Sequence, residues 1–191
     1  MTADSARAKD PRVFLLDGAS GAGKTSVGMA VARARRDTAL ILRYTTRPRR
    51  VESDEQEYIF VDRAEFDRLV AAGAFIEYRH YEFGMSYGLS ADAVRNALSN
   101  GKHALAIINL GNVTAAKTSL PTAVTILIDA PLSVIHRRLL ERGAHRADQV
   151  AERLKNAAMV AEFRPCYDYI VDNSESLESA VMAINQIIDG S

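Results

Sequence analysis

Gly18-Ala19-Ser20-Gly21-Ala22-Gly23-Lys24-Thr25 fits the pattern G-x-x-x-x-G-K-[ST] at every fixed position. Phosphate is a bulky tetrahedral anion, so the backbone must curl closely around it, and Gly18, Gly21 and Gly23 allow turns that side chains would obstruct. Lys24 adds a point charge for the β and γ phosphates of a nucleotide. Thr25 offers a hydroxyl to Mg²⁺, and the helix that starts there presents its positive dipole end. Gly18, Ser20, Gly21, Ala22, Gly23, Lys24, Thr25 and Ser26 are therefore the candidate nucleotide-phosphate residues. The alternative is a Gly-rich turn that matches by chance. The flanks argue against it: Val13 to Leu16 is a short apolar run suited to a buried strand, and Thr25 to Arg36 carries a helical pattern ending in Arg33, Arg35 and Arg36, which suit a helix's negative end.

At 191 residues the chain has room for one α/β core with small inserted segments. Acidic and basic side chains balance at 24 each, so no net field draws nucleic acid or an anionic membrane. The single cysteine, Cys166, allows no internal disulfide and no paired Cys or Cys/His zinc spacing occurs, which fits a reducing cytoplasm. The polar stretch from Met1 to Asp10 lacks an apolar signal core and reads as a loose tail, and no later apolar run is long enough to span a bilayer.

After the first helix, Thr38 to Leu42 suits a second strand and leads into Arg43-Tyr44-Thr45-Thr46-Arg47-Pro48-Arg49-Arg50, with four arginines in eight residues. Such a run is either a solvated basic loop or a grip on a phosphorylated substrate. Tyr58 to Val61 reads as a strand, and Asp62-Arg63-Ala64-Glu65 has the spacing of a capping box opening a helix that Gly73 ends. Ala74 to Tyr78 is extended and carries Glu77. Tyr81 to Ser90 mixes aromatics with glycines, and Ala91 to Ser99 is helical until Asn100-Gly101. His103 to Leu110 suits a central parallel strand presenting Asn109 at its C-terminal end, where ligands bind in such sheets. A short helix around Val113 to Lys117, a buried strand from Val124 to Asp129 and a helix opened by Pro131 follow. Arg137, Arg138, Arg142, Arg146 and Arg153 then surround a Gly break between two helical segments, which is either a basic solvated pair or a lid over phosphates. A helix from Asp148 runs to Phe163, Tyr167 to Val171 is the last strand, and Leu177, Val181, Ile184 and Ile188 recur as a core-facing seam.

Alternating strands and helices predict an α/β fold, with a central parallel sheet, helices on both faces and the phosphate loop at the sheet's C-terminal edge. Phosphoryl transfer is the chemistry such a loop and mobile arginines suit, because it needs charge neutralisation more than covalent help.

With these features in view, the chain resembles the guanylate kinase family of P-loop nucleoside monophosphate kinases from about Val13 to Asn173. Members carry T-T-R-x-P-R-x-G-E before a D-Y-x-F-V strand. This sequence has Thr45-Thr46-Arg47-Pro48-Arg49-Arg50-Val51-Glu52, one residue short before Pro48, and then Glu57-Tyr58-Ile59-Phe60-Val61. The resemblance implies that Arg47, Arg49, Tyr58 and Tyr87 grip the acceptor monophosphate and that Glu77 pairs with guanine's edge. It also implies that the lid arginines Arg138, Arg142 and Arg153 clamp phosphates and that Asn173 contacts the donor adenine. Together with Lys24, Arg47 and these lid arginines are the candidates for the chemistry. The implied order is a tail (1–11), a single domain with core 12–42, 102–136 and 154–191, an acceptor-binding segment 43–101, and a lid 137–153.

Departures cluster where the acceptor base is read. The family's serine before T-T-R is Arg43, Leu89 follows Tyr87-Gly88 in place of a hydroxyl residue, and a D-I-D strand end is Ile107-Ile108-Asn109. Arg43 and Asn109 also resemble segments of ribose 1,5-bisphosphate phosphokinase, where Arg43 would neutralise a second phosphate. A third reading is a catalytically weak guanylate-kinase-like binding module, which Lys24 and Thr25 argue against. The first expectation is an ATP- and Mg²⁺-dependent cytoplasmic kinase, monomeric or homodimeric, acting on a small phosphorylated acceptor such as GMP, with Arg43 and Asn109 as further acceptor contacts and no nucleic-acid or membrane partner.

Overall fold

Val13–Asp17 forms β1, and all five of its residues are buried, as a continuous apolar run requires of a strand covered on both faces. A computed structural model describes residues 10–49, 56–81, 84–108, 111–141 and 147–191. The chain continues through α1 (Lys24–Ala34), β2 (Thr38–Ile41), β3 (Arg43–Thr45), β4 (Tyr58–Phe60), α2 (Arg63–Ala71), β5 (Phe75–His80), β6 (Ser86–Ser90) and α3 (Ala91–Ser99). It then forms β7 (His103–Ile107), α4 (Val113–Ser119), β8 (Val124–Asp129), α5 (Leu132–Glu141), α6 (Ala147–Ala158), α7 (Val160–Phe163), β9 (Tyr169–Asp172) and α8 (Leu177–Gly190).

The central sheet is parallel with strand order β2-β7-β1-β8-β9, so β1 lies in the middle with Phe14 opposite Leu105 on one side and Val124 on the other. Helices flank it. Phe14, Leu15, Leu16, Leu105, Ile126, Leu127 and Ile128 have no exposed surface, each contributing roughly 1.5–3 kcal/mol by leaving water. The local start and stop signals act where the sequence places them. Asp62 accepts from the Glu65 amide at 2.7 Å to open α2, Gly73 and Gly101 take positive φ just past α2 and α3, and the Pro131 carbonyl accepts from Val134 and Ile135 at the head of α5.

Beside the central parallel sheet, the inserted segment forms a second sheet, ordered β4-β3-β6-β5. Strands β3 and β4 are parallel, whereas β6 runs antiparallel to both β3 and β5. The arginine run therefore begins inside a strand, where Arg43 is buried, and part of the aromatic-glycine stretch is β6. Helix α1 ends at Ala34, so Arg35 lies past its last turn and pairs instead with Asp37 and Asp189 at 2.7 Å each. The helix expected from Asp148 to Phe163 breaks at Met159 into α6 and α7. The last strand starts two residues late, because Asp168 turns to accept from the amide and hydroxyl of Thr125 at 2.8 Å. In α8, Ala180, Ile184 and Ile188 are buried and Val181 packs partly buried against the core, as expected of the seam, while Leu177 is exposed.

Candidate functional site

Between β1 and α1 the chain bends through Gly18, Gly21 and Gly23, all at positive φ. At Gly18 a side chain is excluded, since a Cβ would lie 2.2 Å from the Ile128 carbonyl oxygen, and at Gly23 a Cβ would lie 2.3 Å from Asn173 Nδ2 and displace that side chain. Gly23 caps α1 without a side-chain acceptor and the first turn has no acidic residue, so the helix presents its amides and dipole to an external anion. Lys24 Nζ donates to the carbonyls of Gly18 at 2.6 Å and Ala19 at 3.0 Å, which holds the ammonium against the loop it serves. Ser26 is exposed on the first turn of α1.

Three distant side chains close on this loop. Asn173, buried just past β9, donates Nδ2 to the Ala22 carbonyl at 2.7 Å, and its buried Oδ1 is left as an unused acceptor. Arg138 on α5 donates to the same carbonyl at 3.4 Å, and Arg153 on α6 donates to the Ser20 hydroxyl. Both arginines thus lie at the loop. Arg142 and Asn109 lie outside the described residues.

Across from the loop, the second sheet gathers the acceptor candidates. Arg43 Nη2 donates to Glu77 Oε1 at 3.2 Å with both side chains buried, and Asn112, just before α4, donates Nδ2 to Glu77 Oε2 at 2.5 Å. Arg43 also lies over the Tyr87 ring at 5.3 Å, and Arg47 over Tyr58 at 5.0 Å, while the Tyr58 and Tyr87 rings meet edge to face. Arg49 is exposed and lies over Phe60. Burial, with the neighbouring Glu57 charge, pushes the Tyr58 hydroxyl up to about 12, so it stays protonated and able to donate near neutral pH.

Several residues at the site carried no local signal. Thr25 Oγ1 donates to Glu57 Oε2 at 3.1 Å. Asp17, buried at the end of β1, accepts from the Gly18 amide and from the Tyr167 hydroxyl, each at 2.6 Å. Burial pushes the Asp17 carboxyl above its ordinary range against the pull of the Tyr167 bond and the Lys24 charge, and burial followed by the Asp17 charge raises Tyr167. Asn112 and these pairs could have been found only from the fold, since the partners are far apart in sequence.

The donors available to Mg²⁺ are hard oxygens. The Thr25 hydroxyl stands at the head of α1 with a carboxylate beside it, and among the described residues no group of three or more His, Cys, Asp or Glu could hold a metal alone. That suits a cation bound mainly through substrate phosphates and water. No helix among the described residues is long and apolar enough to cross a membrane.

A model of the guanylate kinase family matches residues 10–191. The chain belongs to the guanylate kinase family. It is 37% identical to the guanylate kinase of Thermus thermophilus over 171 residues, covering 89% of this chain and 77% of that protein. It is 32% identical to the Thermotoga maritima guanylate kinase over 179 residues, covering 93% and 86%. Among solved structures it is similar to the guanylate kinase from Anaplasma phagocytophilum, with a TM-score of 0.75 and 26% identity over 94% of this chain and 85% of that one. The protein is thus a P-loop kinase, and the family's relatives support neither the sugar-bisphosphate reading nor the inactive binding module.

Proposed function

We propose that this protein transfers the γ-phosphoryl group of ATP to GMP, giving ADP and GDP, with Mg²⁺ as the accompanying cation. The observation that carries the acceptor assignment is the Glu77 carboxylate, buried and held between Arg43 and Asn112 on the same sheet as the arginine-tyrosine cluster. Each carboxylate oxygen already accepts one hydrogen bond and retains a further lone pair. Guanine offers N1–H and an exocyclic amine to those positions. Adenine presents a lone pair at N1 instead, which a carboxylate repels. Arg43 orients Glu77 and leaves it able to read guanine, so the replacement of the family's serine is compatible with this acceptor.

On the donor side, the loop amides from Gly18 to Thr25, with Ser20, Ala22 and Ser26, cradle the phosphates, and Lys24 neutralises the β and γ oxygens. The unused Asn173 Oδ1 accepts from the adenine amine. Thr25 holds the cation, which when bound offsets charge on the phosphate oxygens. Arg47, Arg49, Tyr58 and Tyr87 hold the GMP phosphate in line with the donor. Its oxygen attacks the γ-phosphorus, the bond to the β-phosphate oxygen breaks, and ADP leaves with the electron pair. The attacking oxygen is already ionised, so no general base is needed. Arg138, Arg142 and Arg153 cover the transferring group, and Asn109 contacts the acceptor. On this reading the segments 43–101 and 137–153 are acceptor-binding segment and lid, and we propose that the chain works in the cytoplasm as a monomer or homodimer.

Chromatographic quantification of products from ATP, Mg²⁺ and a panel of monophosphates tests the reading. ADP and GDP should form one for one with GMP. A chain that consumes ATP with another acceptor and leaves GMP unchanged would refute it.

A further inference from the structure

Glu57 stands immediately before β4 and is tied to both halves of the cleft. Its backbone carbonyl accepts from the Arg43 amide at 3.2 Å, and its Oε2 accepts from the Thr25 hydroxyl at 3.1 Å. It lines a small cavity with Leu40, Ile41, Arg43, Tyr58 and Ile107, between the end of β7 and the second sheet. The β7 end offers no oxygen from a side chain at Ile107 or at the fully buried Ile108. Two further carboxylates near the loop are engaged elsewhere, Asp17 by Gly18 and Tyr167 and Asp129 by Arg164. Glu57 is therefore the acid that meets Thr25 among the described residues.

A carboxylate there is an electrostatic liability for a bare triphosphate. It repels ATP unless a divalent cation stands between the two, and it then reinforces that cation. We propose that Glu57 is the acid of the magnesium region, supplied from the acceptor segment, and that it makes the donor site prefer the Mg²⁺ complex of ATP over free ATP. This rests on the phosphate loop being the ATP site but is independent of which acceptor is used. Because the Glu57 backbone carbonyl also accepts from the Arg43 amide, the same residue links the loaded donor site to the acceptor sheet.

The test is calorimetric titration of ATP, with no acceptor present, into wild type, Glu57→Gln and Glu57→Asp, each with Mg²⁺ and with EDTA. For Glu57→Gln, the factor by which Mg²⁺ strengthens ATP binding should shrink about tenfold, while metal-free ATP binds as tightly as in wild type or tighter. Glu57→Asp keeps the charge and should retain most of the enhancement. An unchanged enhancement in Glu57→Gln, or equal weakening with and without Mg²⁺, would overturn the assignment, the second outcome marking a purely structural role. If Glu57→Gln does not fold, wild type and Glu57→Asp still decide: wild-type ATP binding that ignores Mg²⁺ contradicts the proposal. Failure of GMP turnover would leave these titrations unaffected.

Discussion

Around Gly18 to Thr25 the cleft is made of backbone: glycines at positive φ, a helix start without a protein acceptor, and a lysine held by its own loop. Around Glu77 it is made of side chains, with Arg43 from β3, Glu77 from β5 and Asn112 from the turn before α4 converging on one carboxylate. A backbone cradle is fixed by conformation, so the sequence at its key positions has little freedom; a Cβ at Gly18 meets backbone, and one at Gly23 sits at positive φ against Asn173. A side-chain cluster can be rebuilt from different residues if charge and hydrogen bonds still balance. That is why this chain fits the family pattern throughout the loop yet departs from it at Arg43 and Leu89. On the proposed function, the donor half sets the chemistry, and the acceptor half sets which molecule receives the phosphate.

Lys24→Ala should have the largest effect, lowering turnover about a hundredfold or more with every acceptor, the scale of a lost transition-state charge contact. Steady-state ADP release measures it, and near-normal turnover would remove the distinction between the two halves. Arg47→Ala should act on one half only. Its acceptor KM should rise by roughly 10- to 100-fold, as expected for charge-assisted bonds, while the ATP KM stays within about twofold. Equal changes in both constants would mean that the arginine shapes the cleft as a whole.

Asn112→Ala sharpens the comparison further. Removing the bond to Glu77 Oε2 should reduce the preference for GMP over AMP about three- to tenfold, with ATP binding preserved, because Asn112 only orients the reader. The smallest effect concerns the loop's support. Asp17 has a pKa raised in the folded chain, so its contribution to stability is full below the ordinary aspartate range and declines as pH rises through its folded pKa. Asp17→Asn removes that decline. Its stability relative to wild type, from urea unfolding at several pH values, should therefore improve with rising pH across that interval, and a difference independent of pH would count against the buried carboxylate.

How much of this was legible follows from the range of each signal. The phosphate loop, the Asp62 cap, the Gly73 and Gly101 stops and the Pro131 helix start are encoded within a few neighbouring residues, and the structure realises each of them. Of the second sheet, β4 and β5 were legible as extended segments, but β3 is three residues long, Arg43-Tyr44-Thr45, with polar side chains that no alternating pattern distinguishes from a loop, and the pairing of these strands was not legible. The contacts Thr25–Glu57, Glu77–Asn112 and Asp17–Tyr167 span 32, 35 and 150 positions, so only the topology brings them together. Glu77 itself could be singled out by resemblance, but its buried setting between two donors came from the fold. The break at Met159 had no breaker residue to announce it.

On the proposed function, the acceptor half reads guanine through Glu77, and the donor half is indifferent to that residue. The most direct test of this division is kcat/KM for GMP and for AMP at saturating ATP and Mg²⁺, in wild type and in Glu77→Gln. Wild type should prefer GMP strongly, and that preference should fall by about 10- to 100-fold in Glu77→Gln, the discrimination of about 1–3 kcal/mol that a good bidentate base contact provides, with the ATP KM unchanged. Equal use of GMP and AMP by the wild type, or a preference that survives the loss of the carboxylate, would contradict it.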